Sequence, residues 1–401
     1  MIEHIEIEGF KSLEKVSLDL GPLNIFVGTN GSGKTNFLEA LRVLQGIGFG
    51  YTIDEILNGK PEGSNSKEWK PIRGGSTFAE FRTSRPPRDL VSFRVRASIP
   101  SFAGPLTFQI GLSPKNGVVY SESLAIGGQT VYECMADDQT VKLPPVPPNN
   151  HERSHIARGN SSPALAQVHR TPWSLTVPVI DAIASFIYHL QDVQALQPIP
   201  SVQREYSTAS RAVRMGDRGE DFSALLKTIL SDDSKGSDYL SWLKELTPAE
   251  LDGIEILTNP DGAFTFAFRK GAVDYPARVL SDGTLRFAAI AAAFFQPAPP
   301  RLLLLEGIEK GLHPTQLQLL VELLKSQTGH GVEQVIATSY SPHAIAWLKE
   351  EDYKHVFLCT KNEETGATSI TPFSEVLDLM ELARTQPIAD LFAEGWMENA
   401  F

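Results

Sequence analysis

The stretch "LNIFVGTNGSGKTNFLEAL", residues 23–41, decides the fold class. It starts with a short apolar run that suits a buried strand, passes through a glycine-rich loop, and continues with apolar residues at helical spacing. Residues 28–35 match the pattern G-x-x-x-x-G-K-[ST]. Glycines let a backbone wrap closely around phosphates, and consecutive amides at a helix start attract an anion. The stretch therefore predicts a strand–loop–helix unit that cradles the phosphates of a nucleotide.

Two side chains of this phosphate loop carry the predicted chemistry. Lys34 is predicted to reach the β- and γ-phosphates, and Thr35 is predicted to ligate Mg²⁺. A chance glycine-rich turn is the alternative, and the motif together with its flanking strand and helix disfavours it. The predicted cofactors are therefore ATP and Mg²⁺.

Composition limits the other functions that the chain can have. The 401 residues are 42% hydrophobic and 21% charged, a balance typical of a globular protein. The longest strongly apolar stretch, residues 287–295, falls short of the roughly 20 residues that span a bilayer, so no membrane association is expected. The net charge of −12 argues against a broad basic face for nucleic acid. Cys134 and Cys359 form no metal-spaced pair, which suits a reducing cytoplasm.

Four further segments accompany the phosphate loop. They are "IEIEGFKSL" (5–13), "VLSDGTLRFAAI" (279–290), "LLLLEGIEKGLHP" (302–314) and "VIATSYSPHAI" (335–345). In this order the five segments resemble the ABC-type ATPase heads of the SMC/RecF class. More closely, the chain resembles the compact RecF-like AAA-family ATPases of bacterial anti-phage and DNA-maintenance operons. These segments cover both ends of the chain, while residues 50–270 match the family only in general plan.

The resemblance implies an α/β fold and a division of the chain. The fold is a P-loop ABC-type ATPase head, a mixed sheet with flanking helices, with an inserted antiparallel β meander and a helical lobe. We predict the N-terminal part of the head at 1–50, the meander at 51–142, a linker at 143–163, the helical lobe with a hairpin at 164–270, and the C-terminal part of the head at 271–401.

The resemblance also implies a homodimer in which two heads sandwich two ATP molecules. Ser281 and Gly283 of one chain would contact the γ-phosphate held by Lys34 of the other. Glu306 would hold Mg²⁺, directly or through water, together with Thr35. The further residues expected at the nucleotide are Asn30, Gly31, Ser32, Gly33, Asn36 and Lys11. For Lys11, a solvated hairpin lysine is an equal alternative.

Two positions depart from the family's pattern. Gly307 stands where a second acidic residue usually positions the attacking water, and Tyr340 stands where a histidine usually contacts the γ-phosphate. Glycine cannot act as a base. A tyrosine hydroxyl, with a pKa of about 10, can hydrogen-bond a phosphate but carries no positive charge at neutral pH.

Two substitutes are present for the missing groups. Glu309 is a candidate base, with a solvated loop acid as the alternative, and His313 or His343 is a candidate for the absent imidazole. We predict Glu306, Glu309 and Tyr340 as the catalytic residues. Phosphoryl transfer depends mostly on positioning and electrostatics, so the sequence predicts ATP binding with either slow hydrolysis or none.

The predicted role is to switch or scaffold a separate effector protein, such as a nuclease in phage defence. The residues after 342 are too few for the TOPRIM nuclease domain that related proteins carry, so a nuclease is expected on another chain. Nucleic-acid binding in DNA repair stays open, because residues 204–218 hold four arginines. A solvated helix end is the alternative for these arginines.

Overall fold

The computed structural model describes residues 1–63, 69–82, 90–99, 104–135, 140–142, 155–157, 159–169, 176–208, 211–246 and 251–376. The chain divides into two compact units. The first comprises Met1–Gly21, Thr29–Val193 and Leu358–Thr371. The second comprises Pro22–Gly28, Gln194–Phe357 and the residues from Pro372 on.

The described residues form both strands and helices. The strands are β1 (Ile2–Phe10), β2 (Leu13–Asp19), β3 (Leu23–Val27), β4 (Val91–Ala97), β5 (Leu106–Ser113), β6 (Val118–Ile126), β7 (Gln129–Met135), β8 (Thr140–Lys142), β9 (His155–Ala157), β10 (Val193–Leu196), β11 (Gly253–Thr258), β12 (Phe264–Lys270), β13 (Val273–Pro276), β14 (Leu302–Glu306), β15 (Gln334–Ser339), β16 (Val356–Lys361) and β17 (Thr368–Pro372). The helices are α1 (Lys34–Phe49), α2 (Ile53–Asn58), α3 (Ala164–His169), α4 (Val177–Gln191), α5 (Pro200–Gln203), α6 (Phe222–Leu230), α7 (Asp233–Leu246), α8 (Asp282–Phe295) and α9 (Pro314–Gln327).

The first unit contains an eight-stranded sheet in the order β2-β1-β4-β5-β6-β7-β8-β9. Its paired strands are antiparallel, and β1 and β2 form a hairpin in register Ile7↔Val16. Alternate residues face the core, which is the period of a half-buried strand. Phe108 of β5 lies 5.8 Å from Phe186 of α4 between ring centroids, so this helix covers one face of the sheet.

In the second unit the strands β10, β14, β15 and β3 lie in that order in one sheet. The pairs β14–β15 and β15–β3 are parallel, and all three strands are almost wholly buried. Strands covered on both faces read as continuous apolar runs, as "LLLL" does in β14. A separate antiparallel sheet in the order β11-β12-β13 packs Phe266 against Phe222 of α6, 5.3 Å apart between ring centroids.

Three segments between the longer elements have local structure of their own. A 3-10 turn at Ser76–Phe78 follows Gly74 and Gly75, which adopt positive φ. Two further 3-10 turns, Pro342–Ile345 and Glu350–His355, follow β15. Within residues 143–163, strand β9 pairs with β8 in register Val141↔Ile156.

No helix among the described residues is long and apolar enough to cross a membrane.

Candidate nucleotide-binding site

The phosphate loop joins β3 to the 16-residue helix α1. Gly31 and Gly33 adopt φ of 83° and 100°, a left-handed conformation that glycine tolerates best. A Cβ atom at Gly31 would meet nothing within 4 Å, which leaves room above the loop for a phosphate. The ammonium of the buried Lys34 donates to the Thr29 carbonyl at 2.8 Å and lies 3.2 Å from the Ser32 hydroxyl. The Lys34 side chain therefore lies across the loop in which it is predicted to bind phosphate.

The start of α1 suits an anion. Its first turn contains no acidic residue, and its N-cap Gly33 offers no side chain that would occupy the free amides. Amide groups at such a helix end point toward a bound phosphate. This geometry is compatible with the predicted contacts of the backbone from Asn30 to Gly33.

Two residues outside the motif support the loop from below. A Cβ atom at Gly33 would overlap the Thr368 hydroxyl and lie 2.8 Å from the Ser12 hydroxyl. These two hydroxyls are themselves 2.6 Å apart, and the Asn36 amide donates to Ser12 at 2.7 Å. Asn36, predicted at the nucleotide, thus also fixes α1 to the hairpin of β1 and β2.

Lys11 is neither a solvated lysine nor free to move. Its ammonium pairs with the buried Glu39 carboxylate of α1 and donates to the Arg73 carbonyl at 2.8 Å. Glu39 also accepts from the Arg73 amide and guanidinium, both at 3.0 Å. Burial lowers the pKa of Lys11 despite the hydrogen bond to Glu39. The predicted contact of Lys11 with nucleotide would require this ion pair to open.

The carboxyl ends of three parallel strands place the other predicted residues at one edge of a sheet. Glu306 ends β14 and pairs in register with Thr338 of β15, while Ser339 pairs with Val27 of β3. The amide of Gly28, the first residue of the phosphate loop, donates to the Ser339 carbonyl at 3.3 Å. In open α/β sheets, ligands bind at this edge.

Beyond Glu306 the chain turns sharply. Gly307 has φ of 64°, and its amide donates to the Thr338 hydroxyl at 3.1 Å. Glu309 lies in this turn and uses both carboxylate oxygens, because one accepts from the Ser339 hydroxyl at 2.7 Å and the other from the Tyr340 amide at 3.2 Å. In this conformation Glu309 ties together the loops after β14 and β15, and its role as a base stays a prediction.

The segment at Ser281–Thr284 begins α8. The exposed Ser281 accepts from the Thr284 amide at 3.1 Å as an N-cap, and Gly283 is buried against the loop of residues 310–313. Arg204 holds this segment from outside, with its guanidinium 2.6 Å from Asp282 and 2.8 Å from the Leu280 carbonyl. Ser281 thus stands exposed on a fixed backbone.

The first turns of α8 also contact the turn after β14. Arg286 donates to the Pro198 carbonyl at 3.0 Å, and its guanidinium lies 3.5 Å from the Gly307 carbonyl. Burial lowers the pKa of Arg286, while the charges of Glu309 and Asp282 raise it. The sequence pattern of α8 did not predict this contact, because a single arginine in an apolar helix usually faces solvent.

The arginines of residues 204–218 have different partners. Arg204 donates to Asp282 of the Ser281 segment, and Arg214 donates to the Ala298 carbonyl at 2.8 Å. Arg211 and Arg218 are exposed. The two histidines considered as substitutes for an imidazole are also exposed, and His313 lies 3.1 Å from the Thr315 hydroxyl at the start of α9.

The donors available for Mg²⁺ are of the hard oxygen type that this ion prefers. Thr35 supplies a half-exposed hydroxyl in the first turn of α1, and Glu306 supplies a half-buried carboxylate at the sheet edge. Within the described part of the chain, no cluster of three His, Cys, Asp or Glu residues could hold a metal ion. A phosphate-bound Mg²⁺ needs no such cluster, because phosphates and water complete its coordination.

Comparisons with known proteins identify a family for the chain. A family model described as "AAA domain, putative AbiEii toxin, Type IV TA system" matches residues 23–346. The chain is 43% identical over 44 residues to the DNA replication and repair protein RecF of Lactobacillus acidophilus, covering 11% of this chain and 12% of that protein. It is 41% identical over 46 residues to the OLD nuclease of Thermus scotoductus, covering 12% of this chain and 9% of that protein. The chain thus spans about a tenth of the length of these curated relatives.

Solved structures of SMC heads have the same fold. One, an SMC head bound to the C-winged helix domain of ScpA, has a TM-score of 0.53 at 14% identity and covers 94% of this chain and 99% of its own. A second, a head with an extended coiled coil bound to the C-terminal domain of ScpA from Pyrococcus furiosus, has a TM-score of 0.51 at 12% identity and covers 96% and 99%. The predicted fold class, an ABC-type ATPase head, and the predicted RecF/SMC-like resemblance are confirmed.

Proposed function

The chain belongs to the AAA-domain family described as "putative AbiEii toxin, Type IV TA system", and we propose that it binds Mg·ATP and closes as a homodimer to switch a partner effector. The observation that carries this proposal is the phosphate loop. Its left-handed glycines, open space and buried Lys34 precede a helix start without acidic residues. These are the features that favour an anion over any other ligand.

Each predicted residue has a defined task in this proposal. Lys34 binds the β- and γ-phosphates once its ammonium leaves the Thr29 carbonyl and the Ser32 hydroxyl. Thr35 and Glu306 would hold Mg²⁺, and the ion would supply positive charge beside the transferred phosphate. Exposed Ser281, with Gly283 behind it, offers a hydroxyl to the γ-phosphate held by the second copy of the chain.

Hydrolysis in this proposal is slow. Gly307 supplies no base, and both oxygens of Glu309 are engaged by Ser339 and Tyr340. The metal ion and Lys34 would still stabilise charge, so loss of one orienting group leaves a residual reaction. A non-hydrolysing scaffold that uses ATP only to hold the dimer shut is the second candidate, and Gly307 is the observation that favours it.

The effector is proposed as a separate protein in the cytoplasm. Structures of SMC heads include complexes with a second protein, ScpA, which supports a partner-binding role. The family's description as a putative toxin supports a setting in phage defence. A RecF-like role in DNA repair rests on a short local match and on exposed Arg211 and Arg218. Salt-dependent retention on DNA would support that role.

The test is nucleotide binding and assembly of the purified chain. We expect Mg·ATP to bind by isothermal titration calorimetry and to convert monomer to dimer in light scattering. Lys34→Ala is expected to lose both effects, whereas Lys15→Ala, which alters an exposed lysine of β2, retains them. Equal binding by Lys34→Ala and the unaltered chain would overturn the proposal. Phosphate release above the Lys34→Ala background separates slow hydrolysis from the scaffold.

A further inference from the structure

Lys310 occupies the space where a side chain at position 307 would begin. A Cβ atom built on Gly307 would overlap Cε of Lys310 and lie 2.8 Å from its Cδ and 2.9 Å from its Nζ. The backbone brings the two residues together, because the Lys310 amide donates to the Gly307 carbonyl at 3.1 Å in a tight turn. The left-handed φ of 64° at Gly307 helps to form this turn. A cation therefore lies against the position at which the family resemblance predicts an acid.

The second neighbour of this ammonium is an aromatic ring. The Nζ atom of Lys310 lies 5.5 Å from the ring centroid of Tyr340, within range of a cation–π contact. The Tyr340 amide donates to the Glu309 carboxylate, and this hydrogen bond holds the backbone that carries the ring. Within the ranges that the structure describes, the ammonium of half-buried Lys310 makes no ion pair with a carboxylate. Its three donors are thus available to an anion.

The place of Lys310 beside the end of β14 gives this cation a ligand. Tyr340 follows Ser339, whose carbonyl accepts from Gly28 at the start of the loop. Glu306, the proposed Mg²⁺ ligand, directly precedes Gly307. We propose that Lys310 binds the terminal phosphate of the nucleotide and makes the site selective for the triphosphate over the diphosphate. This inference rests on the proposed function, since it assigns a contact within the same site.

The pair of Lys310 and Tyr340 replaces two missing groups at once. An ammonium beside the γ-phosphate supplies the positive charge that tyrosine in place of histidine lacks. The same ammonium cannot accept a proton from water, so it strengthens triphosphate binding without providing a base. In this proposal, Gly307 and Lys310 together favour retention of the bound triphosphate over its turnover.

The alternative is that Lys310 only fills the space beside Gly307. The proposal requires the positive charge of Lys310, whereas the alternative requires only the volume of its side chain. Lys310→Met keeps the aliphatic stem and removes the charge, whereas Lys310→Arg keeps the charge. Lys244→Ala alters an exposed lysine of α7 and is the matched control.

The experiment measures the affinities of the full chain for Mg·AMP-PNP and Mg·ADP by calorimetry. We expect Lys310→Met to weaken AMP-PNP binding about 10-fold to 100-fold, as the loss of a hydrogen bond from a charged group does. ADP binding should change by less than about twofold, and Lys310→Arg should keep the preference for AMP-PNP. An unchanged AMP-PNP to ADP ratio in Lys310→Met would overturn this inference alone. Failure of the unaltered chain to bind either nucleotide would overturn the proposed function with it.

Discussion

Gly283 and Gly311 are packed backbone to backbone: a Cβ atom on Gly283 would clash with the Gly311 carbonyl oxygen and lie 3.2 Å from Oε1 of Gln316. The start of α8 and the loop of residues 310–313 are therefore held together within one subunit. A backbone carbonyl cannot rotate away from a methyl group as a side chain can, so one of the two segments would have to move. The Ser281 segment is proposed to face the second copy, which makes this contact a test of assembly.

We expect Gly283→Ala to destabilise the chain by about 1–3 kcal/mol, the usual cost of forcing an extra methyl group into a packed site. Displacement of the Ser281 segment should also reduce the ATP-dependent dimer in light scattering. Gly253→Ala is the control, because a Cβ atom there would meet nothing within 4 Å and its φ is not left-handed. Equal melting curves and dimer fractions for the two variants would contradict the expectation.

Two glycines of the phosphate loop should respond differently to the same substitution. Gly31→Ala changes a residue with φ of 83° into open space, so only the backbone cost of about 1–2 kcal/mol applies. Gly33→Ala adds overlap with the hydroxyls of Thr368 and Ser12 to a similar backbone cost. Chemical denaturation should therefore rank Gly33→Ala as the less stable variant. The reverse order would mean that the packing beneath the loop is wrong.

The ion pair beneath α1 should make stability depend on pH. Burial raises the pKa of Glu39, but hydrogen bonds from Arg73 and Lys11 outweigh it, and the net pKa is lowered. A carboxyl with a depressed folded-state pKa stabilises the fold above its unfolded pKa of about 4.3 and loses that contribution as pH falls through the folded value. The free energy of unfolding should therefore fall below about pH 4.3 through this group.

Glu39→Gln tests this dependence in urea titrations between about pH 3 and 7. The variant should lose about 3 kcal/mol at neutral pH, because Lys11 would keep its charge without an acidic partner. It should also show a shallower loss on acidification than the unaltered chain. Glu14→Gln, at an exposed position of β2, is expected to change neither quantity. Parallel pH profiles for Glu39→Gln and the unaltered chain would exclude the ion pair as their source.

Local features of the sequence predicted more of this structure than long-range ones. The phosphate loop and its flanking elements follow from residue spacing within 19 positions. The hydroxyls that pack against this loop belong to Ser12 and Thr368. These residues are 356 positions apart, and no spacing rule relates them. Lys11 illustrates the same limit, since the sequence left solvent and nucleotide as equal partners and the structure supplies Glu39 from another element. The sequence marks Gly307 as a departure from the family's pattern, but the cation beside it depends on the geometry of a turn that no sequence pattern indicates.

Arg204 should matter more for assembly than for stability. Its pair with Asp282 is partly exposed, so Arg204→Ala is expected to cost about 1 kcal/mol or less. The same change frees the Leu280 carbonyl and loosens the Ser281 segment. We expect the ATP concentration at half-maximal dimer formation to rise about 10-fold, the equivalent of about 1.4 kcal/mol. Arg211→Ala, at an exposed arginine nearby, should leave that concentration unchanged, and a matching shift in both variants would point to general electrostatics instead.

An acid introduced at position 307 should not by itself increase the rate of ATP hydrolysis. Gly307→Glu places a carboxylate against the Lys310 ammonium, and the two would form an ion pair instead of activating water. The left-handed φ of 64° adds about 1–2 kcal/mol of backbone strain. In Gly307→Glu with Lys310→Met, the carboxylate has no such partner and can act as a general base, which typically contributes about 10²-fold or more. We therefore expect steady-state phosphate release to stay near the unaltered rate in Gly307→Glu and to rise at least about 10-fold in the double variant. Lys310→Met alone is the control, and a rise in turnover in Gly307→Glu equal to that of the double variant would show that Lys310 does not occupy the place of the base.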